Sequence, residues 1–327
     1  MKYFFSFISL LLFSAELFAQ HIQLLDSTHT KSIRGLSVVN DKIVWVSGAN
    51  GVVGRSVDGK TFTWKTVEGF EKTDFRDIEA FDESTAIIMG IDTPAVILKT
   101  VDGGKSWKKV FEDKRTGMFL DAMEFSDKKN GMVIGDPIDG KIFVAITTNG
   151  GTSWTPSMGP TAEKGEAMFA SSGTNIRAFN KKEFCFITGG TCSRLFIGSE
   201  KIILPLLQSK ESTGANSIAI WDKKTLAIVG GDFAHADLTD KNAVFTSNGG
   251  KTFSTPTTPP LGYRSCVEYL TKSKLITCGM TGVEVSENGG DTWRNISSTS
   301  FHVVRKAKKS KGVFLAGSKG RVAKLIW

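Results

Sequence analysis

The chain has 327 residues, 34 of them glycine and four cysteine, with 41 Lys and Arg against 33 Asp and Glu for a formal charge of +8. The cysteines form no C-x-x-C pair, the four histidines (His21, His29, His235, His302) are scattered, and no G-x-G-x-x-G opens a helix, so neither a metal nor another cofactor is expected. Past residue 19 no stretch is long and apolar enough to span a bilayer.

The chain opens with MKYFFSFISLLLFSAELFAQ: Lys2, an apolar core from Phe4 to Phe13, then Ala15 to Ala19. This is the pattern of a secretory signal peptide, too short for a span. Cleavage after Ala19 leaves residues 20–327 as one domain, exported to the periplasm or secreted. The next segment, HIQLLDS, alternates in polarity. After it the chain falls into units of about 40–50 residues with four short strands each.

The first unit offers IRGLSVV, KIVWVSG, VVGRSV and FTWKTV, and the second FRDIEAF, TAIIMGI, AVILKTV and SWKKVFE. The third contributes FLDAMEF, GMVIGD and FVAITT; the fourth NIRAFN, EFCFITG, SRLFIG and IILPLL. The fifth reads NSIAIW, LAIVGG and AVFTS, the sixth YRSCVEYL, KLITCG and VEVS. The seventh supplies FHVVRKA, GVFLAG and RVAKLIW and lacks an outer strand. HIQLLDS is therefore expected to pair with RVAKLIW and close a seven-bladed, all-β propeller of four-stranded antiparallel blades, which removes an open sheet edge.

One phrase closes the third strand of most units: TVDGGKSW (100–107), TTNGGTSW (147–154), TSNGGKTF (246–253), SENGGDTW (286–293) and the shorter SVDGKTF (56–62). In the fourth unit it has eroded to Ser199 and Glu200. Asn or Asp before glycine supplies the positive-φ residues of a tight turn, the Ser or Thr bonds back to the loop, and the aromatic ring packs between sheets. Asp58, Asp102, Asn149, Asn248 and Asn288 are accordingly read as structural turn groups.

Cys185 and Cys192 flank a GGT turn and Cys266 and Cys278 flank TKSK, so two cross-strand disulfides, 185–192 and 266–278, are expected. The positive charges are otherwise dispersed. The run Arg305-Lys306-Ala307-Lys308-Lys309 is read as a solvated edge, and no nucleic-acid partner is expected.

The first strand of each unit lines the channel of a propeller. Arg34, Arg76, Arg177 and Arg264 fall near the starts of four such strands, with His302 and Asp121 in comparable places. Guanidiniums converging on one axis repel one another unless they meet an anionic ligand or acids such as Asp77 and Asp121. Loops reaching the same face add Arg194 and the segment GEAMFASSGTN (165–175), with Glu166. The binding site is therefore placed in an arginine–acid funnel at the strand-start face, with the box turns on the opposite side.

The repeated phrase resembles the Asp box, S/T-x-D/N-x-G-x-S/T-W/F, of sialidases, sortilin-type receptors and photosystem II assembly factors. With RGLSVVNDKIVWVSG, RDIEAFDESTAIIMG and GMFLDAMEF followed by IGDPIDG, the chain resembles the exported bacterial members of the photosystem II stability/assembly factor-like propellers. That resemblance implies a monomeric, non-catalytic binding or assembly propeller, whose arginine face takes an anionic peptide, protein or glycan. The alternative is a sialidase-like glycoside hydrolase with Tyr263 as nucleophile, Glu166 as its activator and Asp121 as acid. The F/Y-R-I-P phrase of sialidases is absent.

Overall fold

The computed structural model describes residues 20–327; the expected signal peptide, residues 1–19, lies outside them. Among the described residues there is no helix, and thus none long and apolar enough to cross a membrane. Seven antiparallel sheets radiate around a channel. Blade 1 contains Ile33–Val38, Val44–Gly48, Val52–Ser56 and Thr63–Thr66, and blade 2 contains Phe75–Ala80, Ala86–Gly90, Ala95–Thr100 and Lys108–Asp113. Blade 3 follows with Leu120–Phe125, Gly131–Ile138, Lys141–Thr147 and Thr155–Thr161; blade 4 with Ile176–Ala178, Phe184–Ile187, Arg194–Ile197 and Glu200–Ile203. Blade 6 is built from Arg264–Tyr269, Leu275–Gly279, Gly282–Ser286 and Arg294–Ser297.

Middle strands such as Val44–Gly48 and Ala86–Gly90 are buried throughout because sheets cover both their faces. Outer strands such as Thr63–Thr66 are largely exposed. The core therefore lies between blades: Trp45 and Val53 of blade 1 pack on Ile78, Ile88 and Leu98 of blade 2. Blade 7 combines Val303–Lys306, Val313–Ala316 and Val322–Ile326 with the N-terminal strand His21–Asp26, whose His21 and Ile22 lie opposite Ile326 and Leu325.

Blade 5 departs from the common pattern. Its principal strands are Thr213–Ile220, Leu226–Asp232 and Ala243–Thr246, and its outer strand shrinks to a single bridge between Phe245 and Ser254. On the channel side two short strands, Gly189–Gly190 and Glu166–Ala167, extend the same sheet through the pairing of Gly189 with Gly214.

The repeated turns staple themselves. Asp58 Oδ1 accepts the amides of Lys60 and Thr61 at 2.8 Å and its Oδ2 accepts the Thr61 hydroxyl at 2.6 Å; Ser56 Oγ accepts the Gly59 amide at 2.9 Å. Asp102 repeats this with Lys105 and Ser106, and these bonds hold both carboxyls well below the usual range. Asn149, Asn248 and Asn288 accept turn amides through Oδ1 and donate Nδ2 to the hydroxyl four residues on, at 2.8–3.0 Å. Trp107 then meets Trp45 of the preceding blade edge-on, with ring centroids 6.4 Å apart.

Neither expected disulfide is present: Cys185, Cys192, Cys266 and Cys278 are all free thiols. FCFITGGTC does not fold as a hairpin, since Gly189–Gly190 leaves blade 4 for the blade 5 sheet and Cys185 pairs with Ile197. The second hairpin does form, with Cys266 and Cys278 opposite one another and their thiols in contact, but Cys266 also donates to Val304 O at 3.3 Å.

Candidate functional site

Strand register sorts the arginines into different layers. Four inner strands begin with a residue opposite a glycine, then bulge: Ile33 opposite Gly48, Phe75 opposite Gly90, Leu120 opposite Gly135, Arg264 opposite Gly279. A bulge turns its extra residue out of the ladder. That residue is Arg34 in blade 1, Arg76 in blade 2, Asp121 in blade 3 and Ser265 in blade 6. Arg264 is thus one place earlier, where its neighbours carry core side chains.

Buried between blades, Arg264 is held by Glu284 at 3.2 Å, by the carbonyls of Gly282 (3.0 Å) and Leu261, and by the Thr281 hydroxyl. Arg177 is displaced in the other direction. Counted from the hairpin turn it matches Glu79 and Glu124, since it lies opposite Cys185 as they lie opposite Ile87 and Met132. It sits near the far end of the channel, 3.7 Å from Glu124 and 3.8 Å from Glu268. The expected convergence of four arginines is therefore incorrect; the strand starts bring together Arg34, Arg76 and His302.

These three line a cavity of about 410 Å³ at the strand-start end, walled by Phe119, Met168, Phe169, Phe233, Tyr263 and Met280. Phe233 crosses both Phe169 and Tyr263 edge-on, with centroids 5.6 and 6.4 Å apart. Arg34 Nη1 donates to Ser171 O at 3.3 Å, and no carboxylate lies within 4.0 Å of it among the described residues. Burial and the neighbouring Arg76 charge both work against the Arg34 cation. Arg76 uses Nε for Asp74 at 2.9 Å. His302, whose Nε2 meets Ser32 and Ser318 at 3.2 and 2.9 Å, is kept neutral by burial and the nearby guanidiniums, its pKa pushed down to about 3.

The segment 165–175, expected at this face, supplies the floor of the funnel. Residues Phe169–Asn175 cross the channel before entering blade 4. Ser172 Oγ donates to Ser265 O of blade 6 at 2.7 Å, Thr174 Oγ1 to Ser217 of blade 5 at 2.6 Å, and Gly173 O accepts Arg305 Nη2 of blade 7 at 3.0 Å. Beneath it lies Asp77, which accepts the amides of Ile78 and Met123 at 2.8 and 2.7 Å and is cut off from the funnel. Burial lifts its carboxyl to about 7. Asp121 is also fully buried, and burial, with Asp136 nearby, favours its neutral form strongly.

Arg194 and Glu166 form a structural clamp. Arg194 Nε donates to Glu166 Oε1 at 2.8 Å and Nη2 to Oε2 and to Thr161 O, while the guanidinium lies 4.9 Å above Phe196. This fixes the short strand Glu166–Ala167, which leads directly into the funnel wall at Met168 and Phe169. The hydrolase constellation is not assembled. Tyr263 donates its hydroxyl to Asn216 Oδ1 at 2.7 Å with its pKa pushed up by burial to about 12, and Glu166 is engaged by Arg194 and Thr188.

No family model matches the chain, and neither does any curated protein sequence. Solved structures match over nearly its whole length. YCF48 bound to D1 peptide gives a TM-score of 0.67 at 16% identity, covering 94% of this chain and 95% of that one. YCF48 from Cyanidioschyzon merolae gives 0.68 at 15%, covering 93% and 98%. The WD40 beta propeller domain of Doa1 gives 0.64 at 13%, covering 94% and 97%. At such identities the likeness is one of fold.

Proposed function

We propose that this propeller is an exported, monomeric, non-catalytic binding or assembly factor whose strand-start funnel takes an anionic group on a peptide or protein partner. The observation that carries this reading is Arg34: a half-buried guanidinium, facing a roomy cavity, with one long hydrogen bond and no carboxylate in contact among the described residues. A desolvated cation beside a second cation is unfavourable unless a further anion completes it. Among the described residues Arg76 meets a carboxylate only through Nε, which leaves its terminal amino groups for the same anion, and burial biases Asp136, the acid on the cavity wall, towards its neutral form.

The aromatic wall of Phe119, Phe169 and Phe233 gives apolar area for the side chains of a peptide that flank its anionic group. YCF48, of similar fold, has been solved bound to a D1 peptide, in keeping with a peptide-binding role for this architecture. The test is fluorescence anisotropy with a panel of labelled peptides bearing acidic residues or a free C-terminus, against their amide counterparts. Acidic peptides are expected to bind, with about a tenfold or greater loss in Arg34→Met and in Arg76→Met. Equal affinity of both variants and the parent for every peptide that binds, or no acidic peptide bound, refutes the reading.

A further inference from the structure

The turns between first and second strands of blades 3 to 7 read DKKN (127–130), NKKE (180–183), DKKT (222–225), TKSK (271–274) and KKSK (308–311). These lysines are far apart in the chain, yet the fold gathers them on the face opposite the funnel. In three blades the box turn clamps the lysine turn beside it: the amides of Gly150, Gly249 and Gly289 donate to the carbonyls of Lys129, Lys224 and Ser273 at 2.7–2.9 Å. Adjacent blades also join here, through Ser126 Oγ to Lys181 O at 3.3 Å, Lys223 to Glu183, and Ser310 Oγ to Asp41 at 2.9 Å. The ammonium groups consequently stand as a crescent on rigid turns.

The lysines of these turns outnumber the carboxylates beside them. Lys223, Lys274 and Lys308 have carboxylate partners; the other lysines of these turns have none within 4.0 Å among the described residues. Asp127 and Asp222 turn back onto the amides of their own turns. The acidic or amide position of the box is neutral Asn149, Asn248 and Asn288 in blades 3, 5 and 6, with Glu287 and Asp291 also in the blade 6 turn, whereas blades 1 and 2, outside the crescent, carry Asp58 and Asp102. Two exposed indoles accompany the lysines: Trp221, 44% exposed, immediately precedes DKKT, and Trp327, 46% exposed, has Lys274 Nζ 5.7 Å from its ring centroid.

We infer that this face docks peripherally on an anionic phospholipid bilayer. Lysine point charges spread over a face match a surface bearing many phosphates, where an arginine fork would match a single one. Indoles among lysines suit the headgroup layer, in which one edge of the ring is apolar and the other wet. Docked this way, the funnel points away from the membrane. The inference is therefore independent of what the funnel binds.

The test is co-sedimentation of the purified full-length chain with phosphatidylcholine vesicles and with vesicles containing about 30% phosphatidylglycerol. Neutral vesicles control for apolar adsorption, including any by residues 1–19. Binding is expected on the anionic vesicles only, falling at least about tenfold in Lys181→Gln/Lys182→Gln/Lys309→Gln/Lys311→Gln and on raising salt, and unchanged in Arg34→Met. The substituted side chains are exposed, and an unchanged denaturation midpoint verifies folding. Equal binding to neutral vesicles, no loss in the quadruple variant, or capture by heparin or DNA without vesicle binding overturns the proposal.

Discussion

Substituting Gly173 by alanine tests the channel floor. Gly173 has φ of 63°, and a Cβ there would lie 2.3 Å from Asp77 Cγ and 2.4 and 2.5 Å from its oxygens. The left-handed conformation costs alanine about 1–2 kcal/mol relative to glycine. Forcing a methyl against a carboxyl that is itself pinned by two amides adds about 1–3 kcal/mol of overpacking. Gly117→Ala is the matched control: φ there is 80° with nothing within 4 Å of the added methyl, so only the conformational cost applies. Urea denaturation of the two variants should thus differ by about 1–3 kcal/mol, with Gly173→Ala the less stable. Because Ser171 O is the Arg34 acceptor, the same variant should also weaken peptide binding. Equal destabilisation of the two alanine variants would show that the segment yields freely and is no floor.

Two further outcomes follow from buried charge. Glu284→Gln removes the countercharge of Arg264 and should cost about 3 kcal/mol or more, whereas Arg264→Leu/Glu284→Leu should recover most of that loss, since Ile33, Phe75 and Leu120 hold the equivalent place in other blades. A double variant less stable than Glu284→Gln in chemical denaturation contradicts this. Asp77 and Glu268 have carboxyls raised to about 7, chiefly by burial, so between about pH 4 and 7 the folded chain holds protons the unfolded chain has released. Stability contributed by these groups is present at the acid end of that window and falls as pH rises through it. Denaturation midpoints should be higher at pH 5.5 than at 7.5, and Asp77→Asn should flatten the slope; a midpoint that rises with pH in the parent chain, or an unaltered slope in the variant, refutes it.

The architecture was legible in the sequence because it is local and repeated. Each box turn is built from groups within a few residues of one another, so S/T-x-D/N-G announces its own hydrogen bonds, and the spacing of the turns then counts the blades. The unpaired HIQLLDS segment and the missing seventh outer strand told of the same pairing. Position around the channel was a different matter. A bulge or a three-residue difference in strand length leaves the apolar alternation nearly intact, yet decides whether an arginine faces the funnel (Arg34, Arg76), the inter-blade core (Arg264) or the far end of the channel (Arg177). The free thiols of Cys185 and Cys192 have the same origin, since Gly189–Gly190 joins a neighbouring sheet and no local pattern reports that. So do the floor at Phe169–Asn175 and the lysine crescent: the first is fixed by partners in blades 5, 6 and 7, the second by turns far apart in the chain that the closed ring sets side by side. What repeats along the chain is written in short-range chemistry, while what meets across the axis depends on register, which only the assembled sheets define.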